Sequence, residues 1–588
     1  MAWLCAGAAG AQDRREVAEP VVPAVCIIMK AAMIASQGIA PEDEIWVDTE
    51  RLQSAIDHCK RGQAVELSSD LQAHAFLSGS LHLRRGVSLL LDKDVTLYGS
   101  RNPRDYDVHR GSCGVVDDRT QKGCYALIVA DHASHSGVFG EGTIDGRGGA
   151  SLLVGGKEQP ENWWELAEEA TVWGHQQVPR LIDTSHTSDF TVYGVTLRNS
   201  ASLHVGFHHG DGLTVWGIKI DTPGNARNTD GIDPDSAKDI TIAESYIRTG
   251  SDNVAITAGH GASRNVSVLR DHFYWGHGMS IGSEIHGGVG DVLVEDLSED
   301  GAENGIRIVS SSARGGVVRD VTYDDICIRR SKDPITLNNS ISDPGSKQAK
   351  APIYQDIVLR DVRIAGGGTV QLAGADSNHH IDVWLDGVEL TDPIDKYKLE
   401  STHVDVLQGP GRVNFQLLGD DSTVSGDLGG ETRLPSCDAK FVPFPTDHPE
   451  PSDTKGDNVQ LASDETETAP APATPADRVS EPAVAAQPVG AIDPPAAIRP
   501  EVSPRATKAV KAECSSGHCG KARMHDVAQY RIARLRCLRS HTCGTAHSRR
   551  IASRRRNRHH HRLQHSGKRP SVRIAHLPSA QKTTVSGG

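Results

Sequence analysis

The sequence predicts an all-β chain: a right-handed, single-stranded parallel β-helix of about ten coils with an N-terminal capping helix. Three observations predict it. Short runs of alternating apolar residues, such as Ile240-Thr241-Ile242 and Val266-Ser267-Val268, recur between Gly, Asp and Asn residues that suit turns. Asp230, Asp252, His277 and Arg307 follow one another at 252 − 230 = 22, 277 − 252 = 25 and 307 − 277 = 30 residues, the drifting period of a solenoid. Near the start, at Leu52, Ala55, Ile56 and Cys59, the apolar spacing is instead that of a helix.

Taken in order, residues 1–11 are small and apolar and end in an Ala-x-Ala-like site, which reads as the remnant of a secretory signal peptide. Residues 12–447 form the β-helix. Its first element is the helix from Asp48 to Lys60, with Asp48 or Thr49 placed to cap the N-terminus; it plugs a coil whose open end would expose strand edges. Strand-like runs follow at Ala64–Leu67, Ser88–Leu91, Ala126–Val129 and Gly137–Gly148. Asn162–Trp173 interrupts them with a short helix whose Trp163 and Trp164 pack onto the coil wall, and coils then run from Leu181 to Leu390. Cys26 with Cys59, and Cys113 with Cys124, suit short-range disulfides and an exported protein, extracellular or periplasmic. No Cys-x-x-Cys spacing supports a metal, and Cys327 reads as a buried small hydrophobe. No run is apolar and long enough to span a bilayer.

Residues 448–507 are a Pro/Ala/Thr-rich linker without periodicity, and residues 508–588 an Arg/His-rich tail, a cationic arm suited to a polyanion. The net charge of −14 includes that tail, so the rest of the chain is more acidic than the total. Its field repels acidic polymers. Binding of one depends on local cations, of which Arg307 is the first candidate. The chain is expected to act as a monomer.

In a parallel β-helix, residues one coil apart become lateral neighbours at about 4.8 Å, so the four landmarks line one groove. Two carboxylates on neighbouring rungs suit inverting glycoside hydrolysis, which needs them about 6.5–9.5 Å apart with room for a water. Asn228-Thr229-Asp230-Gly231, Gly250-Ser251-Asp252, Gly276-His277-Gly278 and Arg307-Ile308-Val309 resemble, in order and spacing, the landmarks of the polygalacturonases, family 28 of the glycoside hydrolases. The resemblance covers roughly residues 20–445 and implies hydrolysis of α-glycosidic bonds in plant cell-wall pectin. It assigns catalysis to Asp230, Asp252 and His277, substrate contacts to Asn228, Ser251 and Arg307, and requires no cofactor or metal. Two positions depart from the family: Ser251 stands where an aspartate supplies the general acid, and Val309 where a lysine helps to hold a carboxylate. A serine hydroxyl cannot protonate a leaving alkoxide near neutral pH. Two other readings therefore stand beside hydrolysis: a non-catalytic pectin-binding relative, and a lyase on the same scaffold. A calcium-dependent lyase would want a tighter carboxylate cluster and a Lys or Arg base. Asp233, Asp235 and Asp239 are expected to be turn caps.

Overall fold

The computed structural model describes residues 12–446 except 37, 119–121, 160, 313, 342–349, 428–429 and 432. The expected leader remnant, linker and basic tail lie outside these residues. One 32-stranded parallel sheet system winds into the expected right-handed β-helix. The wall that carries the landmarks passes through eleven strands: Leu81–His82, Ile128–Asp131, Ile182–Ser185, Val205–His208, Ile232–Asp235, Val254–Ile256, Met279–Gly282, Asn304–Ser311, Asp333–Ile341, Gly368–Ala373 and Tyr397–Gln408. Inward residues of successive coils stack into aliphatic columns; Ile232, Val254, Met279, Ile306 and Ile335 form one and are essentially inaccessible to solvent.

Each coil bends between walls through a residue in the left-handed region. Along one corner these are Asp189, Gly212, Asp239, Asn265, Asp291, Asp320 and Asp356, all at positive φ and in register. Gly, Asn and Asp tolerate that conformation best, which is why turn residues punctuate the sequence at the coil period. Asp239 belongs to this corner, as expected of it.

Helix α1, Thr49–His58, buries Leu52, Ala55 and Ile56 against the first coil. Asp48 is its N-cap residue, but neither it nor Thr49 makes a capping bond. The Asp48 carboxylate accepts from the Arg51 guanidinium, and the Thr49 hydroxyl from the Gly79 N–H at 2.8 Å, so both side chains join the helix to its surroundings instead. Helix α2, Trp163–Trp173, has a capping box, with Asn162 and Glu165 each accepting from the other's backbone N–H. Trp163 is fully buried, and Trp164 Nε1 donates to the Ser200 carbonyl at 2.8 Å. Its indole lies so close over Gly148 and Gly149 that a Cβ at either position would overlap it. The tryptophans thus pack the insertion onto the wall as the sequence suggests.

Cys26–Cys59 and Cys113–Cys124 are disulfides. Cys327 is buried, but it is not a free hydrophobe: it pairs with Cys437 across 110 residues of sequence. Its partner arrives on a returning C-terminal segment that carries no periodic signal, which is why local pattern could not reveal the bond. No described helix is long and apolar enough to cross a membrane.

Candidate active site

The register of the wall aligns Ile232, Val254 and Met279, so Asp230, Asp252 and His277, each two residues earlier, fall on three successive rungs just before their strands. Arg307 lies on the next rung, paired with Ser280. The backbone ties these rungs together. Gly231 N–H donates to the Asp252 carbonyl at 2.9 Å, and His277 N–H to the Ser251 carbonyl at 2.8 Å. Glycine is required at the close approaches: a Cβ on Gly250 would overlap the Ala226 carbonyl, and Gly278, at φ +72°, would meet that of Asn304. Asn253 pins the turn around His277, accepting from Gly278 N–H at 2.8 Å and donating to the Ile247 carbonyl at 3.1 Å. Thr229 is buried and donates to the Ala226 carbonyl at 2.6 Å, anchoring the loop that presents Asp230. Below that loop lies His204, fully buried, its backbone N–H donating to the Asp230 carbonyl at 2.8 Å. Burial pushes its imidazole down to about 4, so it is neutral.

The sequence places four landmarks together, and the structure adds a fifth. Asp233 points outward beside Asp230 and Asp252, and is not a turn cap. Ile232 faces inward, so alternation along Ile232–Asp235 turns Asp233 and Asp235 toward the groove wall, a signal that was present in the sequence. Asp230, Asp233 and Asp252 each hold one fully buried carboxylate oxygen without a hydrogen-bond partner. Burial, then the charge of Asp252, raises Asp230 to about 6, against a hydrogen bond from Ser251 that pulls it down. Burial, then the charges of Asp230 and Asp252, raises Asp233 well above the usual carboxylate range. The cluster therefore retains protons near neutrality.

Cations face it. Arg307 Nη1 lies 3.5 Å from Asp252 Oδ2, and His277 Nδ1 lies 3.5 Å from Asp252 Oδ1. The contact with Asp252 is the main reason that the His277 imidazole is raised above its ordinary value, against the effect of burial. Arg307 thus makes the rung-to-rung ion pair while its 27% exposed side chain still reaches the groove. Asn228 donates from Nδ2 to Gln176 Oε1 at 3.0 Å, so its amide holds the insertion against the site. Between insertion and groove is a cleft of about 450 Å³, lined by Lys122, Arg180, Asp183, Arg227, Asn228 and Asp230. Burial raises Asp183, yet Arg180, His208 and Lys122 together hold it well below the usual range. Lys122, Arg180 and Arg227 were not legible as site residues because they are scattered along the chain without a motif. A larger cavity, about 1380 Å³, lies among Tyr98, Tyr193 and Trp216 and includes none of the landmarks.

The sequence model of the glycosyl hydrolases family 28 matches residues 59–406. An endo-polygalacturonase of Pectobacterium parmentieri is 42% identical over 391 residues, 66% of this chain and 92% of that protein. A polygalacturonase of Ralstonia solanacearum is 36% identical, over 73% of this chain and 92% of its own length. Among solved structures, the polygalacturonase from Erwinia carotovora ssp. carotovora superposes with a TM-score of 0.61 at 41% identity, covering 67% of this chain and 99% of that one. An exopolygalacturonase from Thermotoga maritima, at 18% identity and a TM-score of 0.50, shares the fold. With its matched span, its β-helix and its rung-aligned carboxylates, the chain belongs to the glycosyl hydrolases of family 28.

Proposed function

We propose that this chain hydrolyses α-glycosidic bonds of polygalacturonate with inversion, at the groove of Asp230 and Asp252. The observation that carries this reading is the convergence of three buried, unpartnered carboxylate oxygens with Arg307 and the cationic cleft. The names of the relatives, polygalacturonase and endo-polygalacturonase, supply the substrate class. Asp252 and Asp230 take the proton of a water that attacks the anomeric carbon, Arg307 and the cleft cations hold sugar carboxylates, and His277 steadies Asp252. Ser251 gives the leaving oxygen no carboxyl proton; that oxygen draws it from water, which makes this a slow member of its family. The loss of a general acid commonly costs about 10²–10⁴ in rate.

Ser251 also favours a second reading, a pectin binder that no longer cuts. Incubation of the chain and of Asp252→Asn with polygalacturonate separates them. New reducing ends from the wild type and none from the variant, without absorbance from a carbon–carbon double bond, support hydrolysis. Tight binding with no product leaves the binder, and absorbance indicates a lyase. Three disulfides support export to the periplasm or beyond, where the plant cell wall is the substrate. The basic segment 508–588 would then serve as an arm for an anionic polymer.

A further inference from the structure

Four histidines take no part in the groove chemistry. His132, His186 and His209 follow register-matched strands of the landmark wall and occupy the same turn on successive coils, each in the left-handed region. That turn demands only tolerance of positive φ, which Ser236 supplies on the next coil, so the fold does not explain a run of imidazoles. His132 and His186 stack with ring centroids 5.0 Å apart and planes within 11°; His186 and His209 are 5.1 Å apart, and His209 and His260 5.9 Å. Carboxylates flank both ends. One ligand atom each from His209, Asp235 and His260 lies within 4.8 Å of the others, and the same holds for Asp131, His132 and His186.

We propose that this ladder is a metal site, with His209, Asp235 and His260 taking one divalent ion of the zinc, nickel or copper class, and Asp131, His132 and His186 a second. Imidazole nitrogens select these ions over calcium and magnesium. Three protein ligands leave coordination positions for water. Metal–ligand bonds of about 2.0–2.2 Å bring the ligand atoms closer than they now lie, a movement that side-chain rotation at an exposed turn supplies. Asp235 is already oriented: its Oδ1 accepts from Gly259 N–H and Ser236 Oγ, both at 2.9 Å, while its Oδ2 lies 3.7 Å from His208 Nδ1, a loose contact that an ion would replace. Asp235 ends the same four-residue strand that carries Asp233, so the ion braces the coil that presents the carboxylate cluster.

A site-resolved test is needed, because His559, His560 and His561 in the tail would bind the same ions. The full chain is treated with diethyl pyrocarbonate with and without Zn²⁺, and modification of each histidine is read by peptide mass spectrometry. At a hundredfold excess over Kd, Zn²⁺ should slow the modification of His209 and His260 about 100-fold. His260→Ala should abolish the protection of His209, and His209→Asn, which keeps a residue suited to positive φ, that of His260. Protection confined to the tail, or protection of His209 that survives His260→Ala, would overturn the proposal.

Discussion

Replacing Ser251 with aspartate puts a carboxyl on the turn whose carbonyl receives the His277 N–H at 2.8 Å, beside Asp252 and one rung from Asp230. Neighbouring carboxylates at about 5 Å, in an effective dielectric of about 20, each oppose its ionisation by about 3 kcal/mol, or roughly 2 pH units. Starting near the ordinary aspartate value of about 4, the new group is carried to about 6 by one ionised neighbour and to about 8 by two, so it is at least half protonated at pH 6. That is the state in which a general acid is useful. Reducing-end release from polygalacturonate at pH 6 should rise about 10²–10⁴-fold in Ser251→Asp, with the circular dichroism of the β-helix unchanged. A folded variant no faster than the wild type would refute the assignment of position 251 as the missing acid.

Arg307→Ala should raise KM for polygalacturonate about tenfold, the worth of one charge-assisted contact, and leave KM for its neutral methyl ester nearly unchanged; equal effects would make Arg307 purely structural. Because Asp230 accepts a proton only when ionised, and burial with the charge of Asp252 carries it to about 6, kcat/KM should fall tenfold per unit below about pH 6. An acid limb near 4 would contradict the role of Asp230. Glu299 is buried, its Oε1 accepting from Met279 N–H at 3.2 Å and its Oε2 unpartnered, and burial raises it to about 8. Folded chains keep its proton between about 4.3 and 8 while unfolded chains lose it, so the stability it contributes is lost as pH rises through that window. Glu299→Gln removes this dependence, and its stability relative to wild type in urea should increase by up to about 1.4 kcal/mol per unit from pH 5 to 8; a flat difference would show that Glu299 is already ionised.

The coil architecture was legible because it repeats: turn residues at the coil period and alternating aliphatic runs report the same geometry many times over. The landmark column was legible for the same reason, since a fixed period converts sequence spacing into lateral contact, and Asp230, Asp252, His277 and Arg307 do meet. What escaped were contacts made without period. Cys437 reaches Cys327 on a returning strap, and Lys122, Arg180 and Arg227 come to the cleft from separate loops. Asp233 is a different case: its outward direction was readable from Ile232, but an aspartate next to other aspartates in a solenoid is most simply a turn residue, and only packing shows it buried against Asp230. Of the two capping candidates, Asp48 and Thr49, Asp48 occupies the N-cap position, yet neither side chain caps the helix, because Arg51 takes the Asp48 carboxylate, a preference that capping statistics do not carry.

The central claim, inverting hydrolysis at the Asp230–Asp252 groove, is tested most directly by proton NMR of the first products released from polygalacturonate by the wild-type chain. Inversion of an α-bond predicts β-anomeric reducing ends before mutarotation, lost in Asp252→Asn. Initial α-anomers, unsaturated products, or β-anomers formed equally fast by Asp252→Asn would contradict it.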